Sequence, residues 1–431
     1  MTKKGQYFGA DVGRVRDKAK TMNFVEIAVP FFILAMAVEL LYGAWKKHQT
    51  YRLNDAVASL MMGSLSQLMG VLRLSFSAVF FASAVAFVGV VPWEATVWWH
   101  WVVAFIAYDF CYYWKHRCGH EWRIMWASHS AHHQSEEYNL STALRQTSTD
   151  YIGFVFYLPM YLAGTPVYVM VSVGTLNLVY QFWVHTQHVD RMGVLDYILV
   201  TPSNHRVHHA KNPRYIDKNY GGFLILWDRL FGTFCDERKD EKPVFGITHG
   251  LRSWNPIWAN AVVWWHTMIL AVKAPRWRDK ISVWFRGPSW FPQGLEPVEE
   301  DPDQWHKRYD PHTPQSSKAY VFAQYWILTG AGFALAALQS ELAQPAVIAL
   351  FLLIAGSMYV AGLWLEHRRE RFWVDGVRNG LMLGASLWLP QLSQNVESWI
   401  LGLQAVGTAN MLLLIGLYWL QQNEKRTAAA S

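Results

Sequence analysis

The chain has 431 residues, of which 52% are hydrophobic and only 16% charged, with 24 Trp, 20 Tyr and 23 Phe. That balance excludes intrinsic disorder, collagen and coiled coil, and three cysteines (Cys111, Cys118, Cys235) are too few for a disulfide framework or a Cys-rich metal module. A net charge of +6 with a mean hydropathy of +0.06 describes hydrophobic spans joined to a large polar portion, whose Lys and Arg suit anionic headgroups and cytoplasmic loops rather than nucleic acid.

The first 23 residues are polar and basic, so no cleavable signal peptide is expected. Apolar runs of the roughly 20 residues needed to cross a bilayer then occur at 24–45, 74–93, 95–114, 319–338, 345–365 and 398–420. Residues 56–72 are weakly apolar and either cross or lie in the interface. Residues 151–184 are long enough for a helical hairpin, with the turn predicted at Gly164-Thr165-Pro166. Residues 256–272 are too broken to assign as a span, 285–318 read as a Pro- and charge-rich linker, and 379–392 form a short further span. Trp98, Trp99, Trp101 and Trp114 bracket one run as an interfacial belt. Eighteen Lys and Arg lie between His185 and Lys318, against none in the short connections at Glu94, 339–344 and 393–397. This asymmetry puts the polar region on the cytoplasmic side.

The predicted fold is all-α: a multi-pass transmembrane helical protein with a histidine-box cap at the cytosolic face. It divides into an N-terminal transmembrane region (1–94), a histidine-box core (95–250), an interfacial segment and linker (251–318) and C-terminal transmembrane helices (319–431).

Ten of the 17 His fall in four groups: His116 and His120 (HRCGH); His129, His132 and His133 (HSAHH); His185 and His188 (HTQH); His205, His208 and His209 (HRVHH). On a helix, positions i, i+3 and i+4 share a face, so HxxHH is expected to point three imidazoles the same way and HxxxH two. Imidazole suits iron, zinc, copper and nickel. Ten rings are too many for one ion, and two ions is the natural count. Neutral ligands leave the ions' charge uncompensated, so carboxylates behind the rings are expected. Asp109, seven residues before His116 on the same helical face, and Glu137 rank first, ahead of Glu121, Asp190 and Asp228. His48, His100, His266, His306, His312 and His367 read as packing or surface residues, and His249 is undecided.

The order HxxxH, HxxHH, HxxHH resembles the fatty acid hydroxylase / sterol desaturase superfamily of membrane di-iron enzymes. The segments HSAHHQSEEYNLSTALRQ (129–146) and TPSNHRVHHAKNPRYIDKNYGGFLILWDRLFGTF (201–234) are similar to its glyceryl-ether-cleaving members. The resemblance implies a monooxygenase that uses O2, two Fe ions and tetrahydrobiopterin to hydroxylate the carbon beside an ether oxygen. Its metal ligands would be His116, His120, His129, His132, His133, His185, His205, His208 and His209. His188 fits only the broader superfamily's paired His. Glu137 falls where the family has a Glu needed for activity, and Tyr138, Asn139 and Arg145 match the same block. The implied partners are a membrane lipid substrate and a separate electron donor, a pterin or a redox protein, in the bacterial inner membrane or the endoplasmic reticulum.

Two rival readings stand beside ether cleavage. One keeps the chemistry and changes the lipid: hydroxylation or desaturation of a sterol, fatty acyl chain, carotenoid or aminolipid. The other is a metal transporter or scaffold, disfavoured because transporters place ionisable groups in mid-span whereas these His lie at span ends or beyond. A zinc hydrolase would need fewer His and a general base beside an open site.

Overall fold

The computed structural model describes residues 24–72, 96–296 and 307–430. The expected span at 74–93 and the basic first 23 residues lie outside them. Among the described residues the architecture is all-helical, and β pairing is limited to two isolated bridges, Leu199 with Leu224 and Ala210 with Phe245.

Among the described residues, four helices are long and apolar enough to cross a membrane: α1 (Phe24–Trp45), α8 (Gln315–Leu338, with its 3-10 extension), α9 (Gln344–Leu365) and α11 (Glu397–Ala430). Their outward side chains are large and apolar, among them Phe31, Leu41, Phe333, Leu352, Leu412, Ile415 and Trp419. Such a continuous exposed apolar surface is stable only against lipid, and the protein is an integral membrane protein. Between the spans run α2 (Leu53–Leu72), α3 (Trp98–Glu121), α4 (Arg123–His133), α5 (Val167–Trp183), α6 (Pro202–His208), α7 (Pro256–Lys273) and α10 (Arg371–Leu392).

Two units share this frame. In the C-terminal one, α8, α9, α10 and α11 pack in sequence order, and α9 lies at the centre with Leu350, Met358 and Trp364 fully enclosed. Helix α2 packs against α8 and α9, so the N-terminal part of the chain completes this bundle. The other unit is built on α3, which packs against α4 and α5; α7 covers α4.

Several local readings change for identifiable reasons. The hairpin at 151–184 breaks where expected: Gly164 adopts φ 94°, and Pro166 caps α5. Its first arm is only a 3-10 turn (Gly153–Tyr157) and a five-residue helix (Leu158–Leu162), and its second arm has 17 residues. Neither reaches the ~20 residues of a full crossing. The first arm starts late because Asp150 is tied to Lys115 at 2.6 Å and caps Gly153 N at 3.0 Å. The stretch 256–272 is one unbroken helix. Asn255 accepts from Ile257 N and Trp258 N and Pro256 occupies the first turn, a strong start signal. The short span at 379–392 is the second half of α10, whose polar first half is buried rather than helix-breaking.

Candidate metal centre

The histidines are mounted on helix ends. Helix α3 continues two turns past its apolar run and carries His116 and His120. Trp122 is extended (φ −115°, ψ 121°) and turns the chain into α4, which folds back so that His129 packs over Gly119. A side chain at Gly119 would sit about 3.5 Å from the His129 ring, in ordinary contact. His185 follows α5 by two residues, and α6 brings His205 and His208, with His209 at its C-cap.

The structure brings nine of the ten rings into two adjacent groups. One holds His116, His120, His129, His133 and His208; the other holds His132, His185, His205 and His209. Within each group the ligand nitrogens lie within 4.8 Å of one another. The groups share a wall, since the His133 and His209 rings stack at 4.3 Å. The HxxHH boxes do not point three rings one way. Each gives its i and i+4 rings to one group and its i+3 ring to the other: His129 and His133 against His132, and His205 and His209 against His208. Successive residues turn by about 100° on a helix, so neighbouring rings at i+3 and i+4 diverge enough to reach separate centres. The doublet HH is therefore what couples the two groups.

Hydrogen bonds behind the rings set which nitrogen faces inward. Nδ1 of His116 bonds to Tyr220 O (2.7 Å), of His132 to Arg145 O (3.0 Å), of His185 to Gln181 O (2.8 Å) and of His208 to Lys218 O (3.0 Å). A carbonyl only accepts, so Nδ1 carries the proton and Nε2 presents a bare lone pair. Two such lone pairs, on His132 and His185, stand 3.3 Å apart with no proton to share. The buried Nε2 atoms of His120 and His208 have no partner at all. Other Nε2 pairs lie at 3.0 to 3.2 Å. Ligands about 2.0–2.1 Å from one ion would be separated by roughly 2.9–3.4 Å. The donor set and its spacing thus fit two metal ions. Burial holds the His132 imidazole down to about 4 and that of His208 to about 3, and keeps His133, His205 and His209 well below their usual range. The neutral ring is the form that binds metal.

The remaining site residues fall elsewhere. His188 joins neither group: the chain has left α5 at Trp183, before its box begins, so no helical register ties it to His185, and its ring lies edge-on to Tyr42 and His48. His249 is exposed and also outside both groups. Asp109 is fully buried on α3 two turns before His116, accepting from Phe223 N, Leu224 N, Trp227 Nε1 and Asn177 Nδ2 rather than from a ring. Glu137 is buried beside the second box, paired with Arg52 (2.5 Å) and Arg308 (2.7 Å) rather than with a ring. Glu121 pairs with Arg117. Backbone carbonyls, where carboxylates were expected, hold the four rings above. Sequence could not mark them, because every residue has a carbonyl. Tyr138 was visible only as part of a matching block. It is buried, donates to Val184 O at 2.9 Å, and stacks between His185 and Phe245.

Comparison with known proteins shows the family. Residues 101–233 match the family model described as fatty acid hydroxylase. Alkylglycerol monooxygenase of Xenopus tropicalis is 39% identical over 320 residues, spanning 71% of this chain and 69% of the relative. That of Danio rerio is 33% identical over 419 residues, spanning 94% and 90%. Ornithine lipid hydroxylase OlsE of Rhizobium tropici is 31% identical over 149 residues, 34% of this chain and 45% of its own. No solved structure matches.

Proposed function

Because the chain belongs to the alkylglycerol monooxygenase family, lipid monooxygenases with a fatty acid hydroxylase core, and is thus an oxidoreductase, we propose that it cleaves glyceryl ethers at an iron pair held by its nine clustered histidines. The carrying observation is the convergence of bare imidazole nitrogens in two adjoining groups. His116, His120, His129, His133 and His208 would hold one ion, and His132, His185, His205 and His209 the other. Iron bound there supplies the redox chemistry by which O2 is brought to bear on an unactivated C–H bond.

The chain's own residues do the rest. Hydrogen bonds to Tyr220, Arg145, Gln181 and Lys218 fix ring orientation before any ligand arrives. Tyr138, Phe245 and the buried α4 and α6 wall the centre off from water. Glu137, held by two arginines, fixes the loop that follows the second box, and Asp109 the backbone behind the first; we assign both a supporting part. The net reaction places one atom of O2 on the carbon beside the ether oxygen and releases the other as water. Its two electrons come from a separate donor, a reduced pterin or a redox protein. The resulting hemiacetal collapses to an aldehyde and free glycerol hydroxyl. The charge asymmetry of the loops supports the reading that this centre faces the cytoplasm.

The test is purified protein in lipid nanodiscs with an alkylglycerol, O2 and reduced tetrahydrobiopterin. Aldehyde release that stops on iron chelation is the expected result. Unchanged ether, together with hydroxylation of an aminolipid or fatty acyl chain in the same nanodiscs, would replace ether cleavage by the second lipid reading.

A further inference from the structure

Two of the four backbone carbonyls that orient the rings belong to one short loop. Lys218 O holds His208 and Tyr220 O holds His116, both in the five-histidine group. The loop is unusual backbone. Asp217 and Asn219 are both left-handed (φ 59° and 56°), which turns the intervening Lys218 carbonyl toward His208. Asn219 is fixed through Asn204 O, Cys235 O and Cys235 N. The next residues close on Asp228, whose carboxylate accepts from Tyr220 N and Gly221 N at 2.7 Å each and from Thr233 Oγ1 at 2.6 Å. Asp228 is fully buried, touches no histidine, and has no cation among these partners. Gly221 is required for this approach: a Cβ there would meet Leu224 O at 2.6 Å and Asp228 Oδ2 at 3.1 Å.

The four-histidine group is supported from elsewhere, by Arg145 O after the second box and Gln181 O in α5. Asp109 stands between the two systems. It accepts from Phe223 N and Leu224 N on the loop side, and from Asn177, which in turn accepts from Gln181.

We infer that Asp228 is a positioning residue for the five-histidine half of the centre alone, acting through the Tyr220–Gly221 backbone, so that the two metal sites can be uncoupled by a residue that touches neither. The inference rests on the two-ion reading of the centre. It places Asp109 differently, as a support felt by both halves.

The experiment counts ferrous iron bound anaerobically to the full chain in nanodiscs, in competition with a chelator, beside a thermal melt. Wild type is expected to hold two tight equivalents. Asp228→Asn keeps the side chain's shape but turns one acceptor into a donor facing a backbone N–H. It should weaken one equivalent by the roughly 10–100-fold typical of lost outer support and leave the other unchanged. Asp109→Asn should weaken both. Two unchanged equivalents in Asp228→Asn, or equal weakening of both with the melt preserved, overturns the inference. If Asp228→Asn does not fold, Thr233→Val removes one bond to the same carboxylate and should weaken the same single equivalent by a few-fold; two unchanged equivalents there also overturn it. A wild-type chain that binds no ferrous iron would instead overturn the metal-centre reading beneath it.

Discussion

Two of the buried polar clusters among the described residues invite comparison. In the C-terminal bundle, Asp375 accepts from Arg378 (2.8 Å), Tyr320 (2.8 Å) and Trp364 (2.7 Å). Arg378 also donates to Gln324 and Asn379, and Gln324 and Asn410 exchange their amides. Negative and positive charge are both supplied from within, with Arg378 Nε left without a partner, so the cluster is balanced in charge and serves to hold α8, α9, α10 and α11 together. The histidine cluster brings together nine rings with no cation among them; the inward nitrogens of His132 and His185 are lone pairs facing each other, and those of His120 and His208 have no partner. Burial of polar groups is common to both. What marks a ligand site is the side left unsatisfied.

The sharpest way to break this contrast is to remove one inward nitrogen. His133→Ala should lower bound iron and reduce turnover by more than the roughly 100-fold of a lost supporting bond, with the bundle's melting transition unmoved. Metal analysis and aldehyde release check it. Full iron content with full activity would remove the distinction between the clusters. The converse change is Asp375→Ala. It strands Arg378 in a low-dielectric interior, where breaking a buried pair destabilises by about 3–5 kcal/mol. Iron per folded chain should stay at the wild-type value. If iron fell in step with stability, the two clusters would form one cooperative unit.

Much of this contrast was legible in the sequence, and what escaped has a physical reason. The four histidine boxes and their mounting beyond an apolar run were readable, because i, i+3, i+4 spacing and hydropathy are local properties. So was the hairpin break, written in Gly164 and Pro166. The split of each HxxHH between two groups was not, since same-face reasoning ignores the 100° between adjacent rings. Nor was the position of His188, which depends on where α5 ends. The polar first half of α10 was not read as helix, because Asp375, Arg378 and Asn379 find partners on helices distant in sequence. Asp109 and Asp228 were visible as residues, but each is held in part by backbone N–H groups of the loop at 220–224, which leave no mark in a sequence. Asp109 and Asp228 therefore looked like ring partners and are loop clamps.

Gly221→Ala tests that clamp with a smaller perturbation. The added methyl meets a backbone oxygen at 2.6 Å, so the loop must shift. Overpacking of this kind destabilises by about 1–3 kcal/mol. The shift should weaken iron in the five-histidine group before it is seen in the four-histidine group. Iron titration compared with that of Asp228→Asn checks this, and weakening confined to the four-histidine group would count against the clamp.

The smallest effect is expected where a polar contact reaches solvent. Arg308 pairs with the buried Glu137 at 2.7 Å, but its own side chain is 57% exposed, and Arg52 lies on the same carboxylate. Exposed partners of this kind contribute about 0–1 kcal/mol. Arg308→Ala should therefore shift the melt slightly and leave both iron equivalents in place, because Arg52 still holds the Glu137 carboxylate in position. Arg52→Ala should do more, since Arg52 also holds Tyr309 O and stands near Glu136 and Asp310. The order of the two variants is the informative quantity. If Arg308→Ala impaired turnover more than Arg52→Ala at equal stability, the segment at 307–314 would act on the reaction itself rather than merely closing over the second histidine box.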